Sequence, residues 1–263
     1  MRMISLASGS KGNAYLVTSP DGVVLIDCGL NWKTYQARVA SVAASVEERE
    51  RLLRPDAVLI THSHVDHVGG LSVFLHRRPD TPVFANLMTA ETVAADCGIA
   101  EDAFIRFENG QPFEAGPFVI TPFPIPHDTS DPVGYLVREP GGETYFHGTD
   151  IGSPVDSIGE RLAAADLATL ESNHEPELLR ASSRPPSVIR RIAGPRGHLA
   201  NAQACELVRR YASPRLKVLA LAHLSGECNT PELALRSMRE TLLAMDRADV
   251  RLTVLPQDLP VVP

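Results

Sequence analysis

Thr61-His62-Ser63-His64-Val65-Asp66-His67 places three imidazoles and a carboxylate within six residues. The apolar run Ala57-Val58-Leu59-Ile60 leads straight into it, and Gly69-Gly70 follows. A short apolar run of this kind reads as a buried strand. In a turn after a strand, the alternate residues His62 and His64 can point the same way. Asp66 and His67 then stand at the start of the next helix and can face a second ion. Neutral imidazole and carboxylate are first-choice ligands for zinc and similar divalent ions. An exposed polar turn would not need this density of donors at this spacing.

Such a cluster needs partners from elsewhere in the chain. Three candidates also stand at the ends of apolar runs. His127-Asp128 follows Val119 to Pro126, Asp150 follows Tyr145 to Thr149, and His223 follows Val218 to Ala222. Ligands carried on strand ends converge on one edge of a sheet. Taken singly, each of the three fits a hydrogen-bonded structural role equally well.

Composition limits the classes that remain. The 263 residues are 44% hydrophobic and 22% charged, which suits a soluble globular enzyme. No run approaches the roughly 18 apolar residues that a membrane-spanning helix needs. Met1 to Ser5 is too short before Ser8-Gly9-Ser10 to be a signal peptide, so a cytoplasmic setting and no membrane partner are expected. The formal charge of −7 excludes a strongly basic coat for nucleic acid but leaves room for local basic patches. The four cysteines form no CxxC pair and read as reduced thiols.

Strands and helices alternate without a linker, so residues 1–263 read as one α/β domain. Strands are expected at Met3 to Ala7, Ala14 to Thr18, Val23 to Ile26, Ala57 to Ile60 and Val83 to Ala85. A helix, with room for a break, is expected over Asn31 to Leu53, with others over Val68 to His76 and Met88 to Asp96. Dense Pro and Gly punctuation from Phe104 to Phe146 predicts four or five more strands. Beyond Asp150 the alternation resumes. Strands are expected at Leu167 to Leu170, Val218 to Ala222 and Arg251 to Val254. Helices are expected near Glu177 to Leu179, over Ser187 to Ile192, Asn201 to Tyr211 and Glu232 to Met245, and ending at Leu162 to Ala165. Two similar halves of this kind predict two sheets face to face with helices outside.

His-x-His-x-Asp-His at 62–67, followed by His127, Asp150 and His223, resembles the metallo-β-lactamase superfamily. Asp27, in Leu25-Ile26-Asp27-Cys28-Gly29, matches that superfamily's first motif. The resemblance implies an αββα sandwich with two mixed sheets and a binuclear metal site. Ser8 to Tyr15, Glu171-Ser172-Asn173-His174, Gly197 to Asn201 and His223-Leu224-Ser225 resemble the YycJ-like branch more narrowly. That bacterial family is 5′-to-3′ DNA exonuclease-like and related to ribonuclease Z-type enzymes. Lys11 and Ala200 stand where the branch usually has serine, and Gly226-Glu227-Cys228 replaces a more acidic stretch.

By that resemblance His62, His64 and His127 hold one divalent ion. Asp66, His67 and His223 hold a second, and Asp150 bridges them. Zinc and manganese are the leading metals, with iron a third candidate. Two such ions can share a hydroxide and clamp a phosphodiester. Asp66 is thereby a catalytic candidate as well as a ligand. Asp27 is expected to orient a ligand imidazole through its other N–H. His198 resembles the non-ligand catalytic histidine of the ribonuclease Z-type enzymes and is the candidate general acid.

Other residues carry weaker signals. The loop Ser8 to Asn13 lacks a Walker ending, but Ser10, Lys11 and Asn13 could form an anion nest; a tight turn explains it as well. His174 could line the same pocket. His147 reads as a core residue and His76 as a surface one. Arg180, Arg184, Arg190, Arg191 and Arg196 form a basic stretch, with Arg191 the candidate phosphate contact. The expectation is a metal-dependent phosphodiesterase or nuclease acting on DNA ends. The alternative is a hydrolase of small thioesters, lactones or cyclic phosphodiesters on the same site. The residues leave metal identity, DNA against RNA, and oligomeric state open.

Overall fold

Side chains alternate between two cores along the first strands. Met3, Tyr15, Val17, Val24 and Ile26 belong to one core, and Ile4, Leu6, Leu16, Val23 and Leu25 to another. In the computed structural model, which describes residues 1–263, both sets are buried. Period-two alternation sends successive side chains to opposite faces, so this sheet is covered on both.

The first sheet runs β1 (Arg2–Ala7), β2 (Ala14–Thr18), β3 (Val23–Ile26), β4 (Ala57–Leu59), β5 (Val83–Asn86) and β6 (Phe104–Phe107), in that spatial order. The first three strands are antiparallel, and β3 to β6 are parallel. The second sheet comprises β7 (Phe113–Ala115), β8 (Phe118–Pro124), β9 (Val133–Arg138), β10 (Thr144–Gly148), β11 (Leu167–Glu171), β12 (Val218–Ala222) and β13 (Arg251–Val254). It repeats the plan: β7 to β10 antiparallel, β10 to β13 parallel. The two similar halves are therefore two mixed sheets.

Tyr15, Ile26, Leu59, Phe118, Tyr135 and Tyr145 pack between the sheets. Outside the first sheet lie α1 (Trp32–Val42), α2 (Val46–Leu52), α4 (Leu71–Arg77) and α5 (Leu87–Cys97), which bury Tyr35, Val39, Leu52, Phe74 and Val93. Outside the second lie α6 (Asp156–Leu162), α9 (Asn201–Tyr211) and α10 (Pro231–Ala244), which bury Leu162, Val208, Met238 and Leu242. The layers are thus α, β, β, α. No helix is long and apolar enough to cross a membrane.

One expected helix breaks, as its sequence allowed, and another starts late. The segment Asn31 to Leu53 breaks at Ala43, where the backbone turns extended. The Ser45 hydroxyl then accepts a hydrogen bond from the Glu48 amide and starts α2 afresh. The helix expected over Val68 to His76 starts later, at Leu71 in α4, and a separate single turn, α3 (Val65–Val68), precedes it. Gly70 between them lies against the turn after β3, where a Cβ would sit 1.9 Å from the Leu30 carbonyl oxygen. Two short helices, α7 (Pro176–Ala181) and α8 (Pro186–Ile192), complete the chain.

The parallel strands of both sheets bring their C-terminal ends to one edge of the sandwich. Asp27, Asp150 and His223 follow such ends with left-handed backbones, at φ 59°, 58° and 55°. Asp and His tolerate that region better than bulky or branched residues. Strain of this kind is characteristic of sites whose side chains must be aimed.

Candidate metal centre

The turn after β4 carries most of the cluster. Cys28 N donates to the His67 carbonyl, and Asn13 N to the Asp66 carbonyl, each at 2.7 Å. The Asp66–His67 backbone is thus clamped between the loops after β1 and β3. Gly29 makes the clamp close: a Cβ there would meet the Asp66 oxygen at 1.8 Å. Gly29→Ala is expected to destabilise the protein by about 1–3 kcal/mol through overpacking. It should also displace Asp66, which thermal melting and bound-metal content would register together.

Seven side chains meet at the edge. His64 Nδ1 is 3.3 Å from His127 Nε2, and His62 joins them, with the three donor atoms within 4.8 Å of one another. The donor atoms of Asp66, His67 and His223 satisfy the same limit. Asp66 Oδ2 lies 3.5 Å from His67 Nε2 and 3.6 Å from His223 Nε2. Asp150 spans both groups: Oδ2 is 3.3 Å from His67 Nε2, while Oδ1 is 3.7 Å from His127 Nε2 and 3.6 Å from His223 Nε2.

The inward atoms fit a cation. His62 Nε2, Asp150 Oδ2 and His223 Nε2 are buried yet accept or donate no hydrogen bond. Buried polar atoms are seldom left so, because desolvation without a partner is costly. The outward nitrogens, by contrast, have partners. His62 Nδ1 meets Thr61 Oγ1 at 3.0 Å, His127 Nδ1 the Gly197 carbonyl at 3.0 Å, and His223 Nδ1 Glu171 Oε1 at 3.3 Å. His67 Nδ1 meets Asp27 Oδ2 at 2.7 Å. Asp27 also accepts from the Thr61 amide at 2.9 Å. Outer partners of this kind fix ring orientation and tautomer.

Electrostatics sort the imidazoles. Burial lowers the pKa values of His62, His64 and His127; neighbouring imidazoles add to this and the carboxylates of Asp128 and Asp150 oppose it without reversing it, which favours the neutral form that binds metal. Around Asp66 and Asp150 the balance reverses. Burial opposes ionisation of Asp66, but His67 and His223 hold its pKa down at about 2. Burial likewise opposes the charge on His223, but Asp150, Asp66 and Glu171 raise its pKa to about 10. The carboxylates therefore draw positive charge to this spot.

His198 lines the cavity beside the cluster, a space of about 330 Å³. Its Nδ1 is 2.7 Å from Glu171 Oε1. Glu171 is fully buried at the end of β11, and its other oxygen accepts from the Ile151 and Leu199 amides at 2.7 and 3.1 Å. Sequence reasoning quoted Glu171 in a motif but assigned it no role; its place at a strand end was the signal. Asp128 was quoted beside His127 but likewise assigned no role.

The weaker candidates divide. Ser10 and Arg191 line the cavity, with Arg184 and Asn173. Arg191 pairs with Asp128 and Arg184 with Glu227. Lys11 lies instead in a neighbouring cavity with Arg38 and Asp258. Asn13 is fully buried and donates to Asp66 Oδ2 at 3.2 Å, so it faces the carboxylate and not a substrate. His174 is buried and paired with Ala200 in a β-bridge, and it lines no part of this cavity. His147 is buried between the sheets against Tyr15, and His76 is exposed. No aromatic ring other than histidine lines the cavity.

A model of the β-lactamase superfamily domain matches residues 23–220, which spans every strand end just described except the last residue, His223. The chain belongs to the β-lactamase superfamily, as a hydrolase of its metallo-β-lactamase branch. It is 32% identical over 238 residues to exodeoxyribonuclease YycJ of Bacillus anthracis, covering 90% of this chain and 87% of that one. It is 32% identical over 244 residues to exodeoxyribonuclease WalJ of Streptococcus pneumoniae, covering 92% and 88%. The metallo-β-lactamase fold protein YhfI of Bacillus subtilis superposes over all of both chains with a TM-score of 0.69, at 18% identity. That likeness fixes the αββα sandwich, and the superfamily's fold accounts for a divalent-metal site of histidines and aspartates.

Proposed function

We propose that this chain is a metal-dependent exodeoxyribonuclease that removes nucleotides from DNA ends, in the 5′-to-3′ direction. In this reading His62, His64 and His127 hold one divalent ion, Asp66, His67 and His223 a second, and Asp150 lies between the two. The observation that carries it is the convergence of seven donors, several of them buried without partners, at the wall of an open cavity bearing Arg184 and Arg191. The relatives named exodeoxyribonuclease supply the substrate class. Ligands come from both sheets, so residues 1–263 act as one unit. A cytoplasmic setting accords with four unpaired cysteines.

Zinc or manganese bound there would polarise a phosphodiester and make water more acidic. The chain's own residues do the rest. Arg184 and Arg191 meet the phosphate backbone, which positions any sequence alike. The absence of a stacking ring from the cavity accords with a base-independent grip. His198, held at Nδ1 by Glu171, presents Nε2 to the cavity and protonates the leaving oxygen. Asp27 and Thr61 hold His67 and His62 in register.

Single-stranded and duplex DNA with free or phosphorylated 5′ ends should be digested stepwise by manganese- or zinc-loaded protein, and chelator should stop it. Polarity is read from end-labelled substrates. Inactivity on DNA and RNA, with cleavage of a thioester, lactone or cyclic phosphodiester, would keep the metal site and overturn the nuclease reading.

A further inference from the structure

Four of the five ligand imidazoles have their outer nitrogen held by a protein group; His64 does not. The structure gives His64 Nε2 no hydrogen bond, and the carboxylate oxygen beside it is Asp128 Oδ1 at 3.9 Å. That oxygen is itself buried and without a hydrogen-bond partner, and it lies 3.3 Å from His127 Nε2. The other oxygen of the same carboxylate is taken by Arg191 Nε, from α8. A small rotation of Asp128 would bring it to His64, at the expense of the arginine.

We propose that Asp128 is the positioning residue of the His62–His64–His127 site, and that Arg191 competes with His64 for its carboxylate. The inference rests on the metal reading above. Carboxylate–imidazole pairs of this kind orient the ring and raise its basicity as a ligand. Arg191 holds the carboxylate back. No residue of α8 is buried, and Arg191–Asp128 is one of its ties to the body of the protein. Loading of this site and docking of α8 over the cavity therefore draw on one carboxylate and oppose each other.

The test is a titration of the metal-free protein with Co²⁺, followed by visible absorption, which reports affinity and ligand geometry without turnover. Asp128→Ala is expected to weaken one of two Co²⁺ sites by about 10–100-fold and to alter its spectrum, leaving the other site in place. Asp128→Asn, which keeps an acceptor oxygen for the His64 N–H, should recover part of the loss. Arg191→Gln, at an exposed position that tolerates change, should tighten the same site by about two- to five-fold, the worth of a partly exposed ion pair. A merely structural role for Asp128 would make both Asp128 and Arg191 variants weaker. Affinity in Asp128→Ala within two-fold of wild type, or weaker binding in Arg191→Gln, overturns the proposal while leaving the metal centre standing. Absence of Co²⁺ binding by the wild type would overturn the metal reading and this proposal with it.

Discussion

Asp150→Asn should lower the proposed metal-dependent DNA hydrolysis, with turnover down by about 10²–10³-fold. The carboxylate is the one group whose two oxygens face both clusters, at 3.3 Å from His67 and 3.7 Å from His127. It is almost fully buried, and its pKa lies well below the usual carboxylate range; burial opposes this, but the charges of His223 and His67 outweigh it. Without it, two cations would have to share the edge with one fewer negative charge in a low-dielectric setting. Removing a single transition-state charge partner elsewhere costs about 3–4 kcal/mol. Asparagine keeps the shape and tolerates the left-handed backbone at φ 58°, so the fold should survive. Metal content by elemental analysis, circular dichroism and initial rates on labelled DNA check the three parts. Two bound ions and near-normal rates in the folded variant would remove Asp150 from the centre of the mechanism.

Much of this candidate site was legible because its proposed chemistry, metal ligation, is a local demand. Three histidines and an aspartate after an apolar run have few other uses, and their strand context could be read from Ala57 to Ile60. The strands Ala14 to Thr18, Val23 to Ile26, Val218 to Ala222 and Arg251 to Val254 were legible for a similar reason: each is a short apolar run between turn residues. Asn31 to Leu53 was harder. Ala43, Ala44 and Ser45 do not forbid helix, and the break depends on the Ser45 cap winning locally. Asn13 and His174 could be misread for a different cause. Polar residues near a motif look available to substrate, but burial is a property of the packed sheets. Asn13 spends itself on Gly9 and Asp66, and His174 is buried, bridged to Ala200, and lines no part of the cavity. Glu171 bonds a histidine 27 residues away along the chain, His198, and Asp128 stands beside one 64 residues away, His64, and spacing carries no sign of such pairs.

His198→Ala is expected to lower turnover by about 10²–10⁴-fold, the usual contribution of a positioned proton donor, with both metal sites still filled. The hydrogen bond of His198 is to Glu171; it lies beside the proposed ligands, with Nδ1 3.7 Å from Asp150 Oδ1 and its ring stacked on His223, but is not one of the seven. A loss of rate without a loss of metal therefore separates proton donation from ligation. Glu171→Gln gives the sharper result, through pH. Burial lowers the His198 pKa, but the Glu171 carboxylate outweighs it and leaves the value raised. A general acid must be protonated, so the rate falls as pH rises through that pKa. Removing the charge takes away what raised it, and the alkaline limb of the rate profile should move to lower pH. Hydrogen bonding pushes the same way. The oxygen of the new amide is claimed by the Ile151 and Leu199 amides, so its NH₂ faces His198 Nδ1 and favours a lone pair there. The imidazolium is then disfavoured twice. An unchanged alkaline limb in Glu171→Gln, with rate lost uniformly across pH, would leave Glu171 a tie for His223 Nδ1 and the Ile151 and Leu199 backbone and assign the leaving-group proton to another donor.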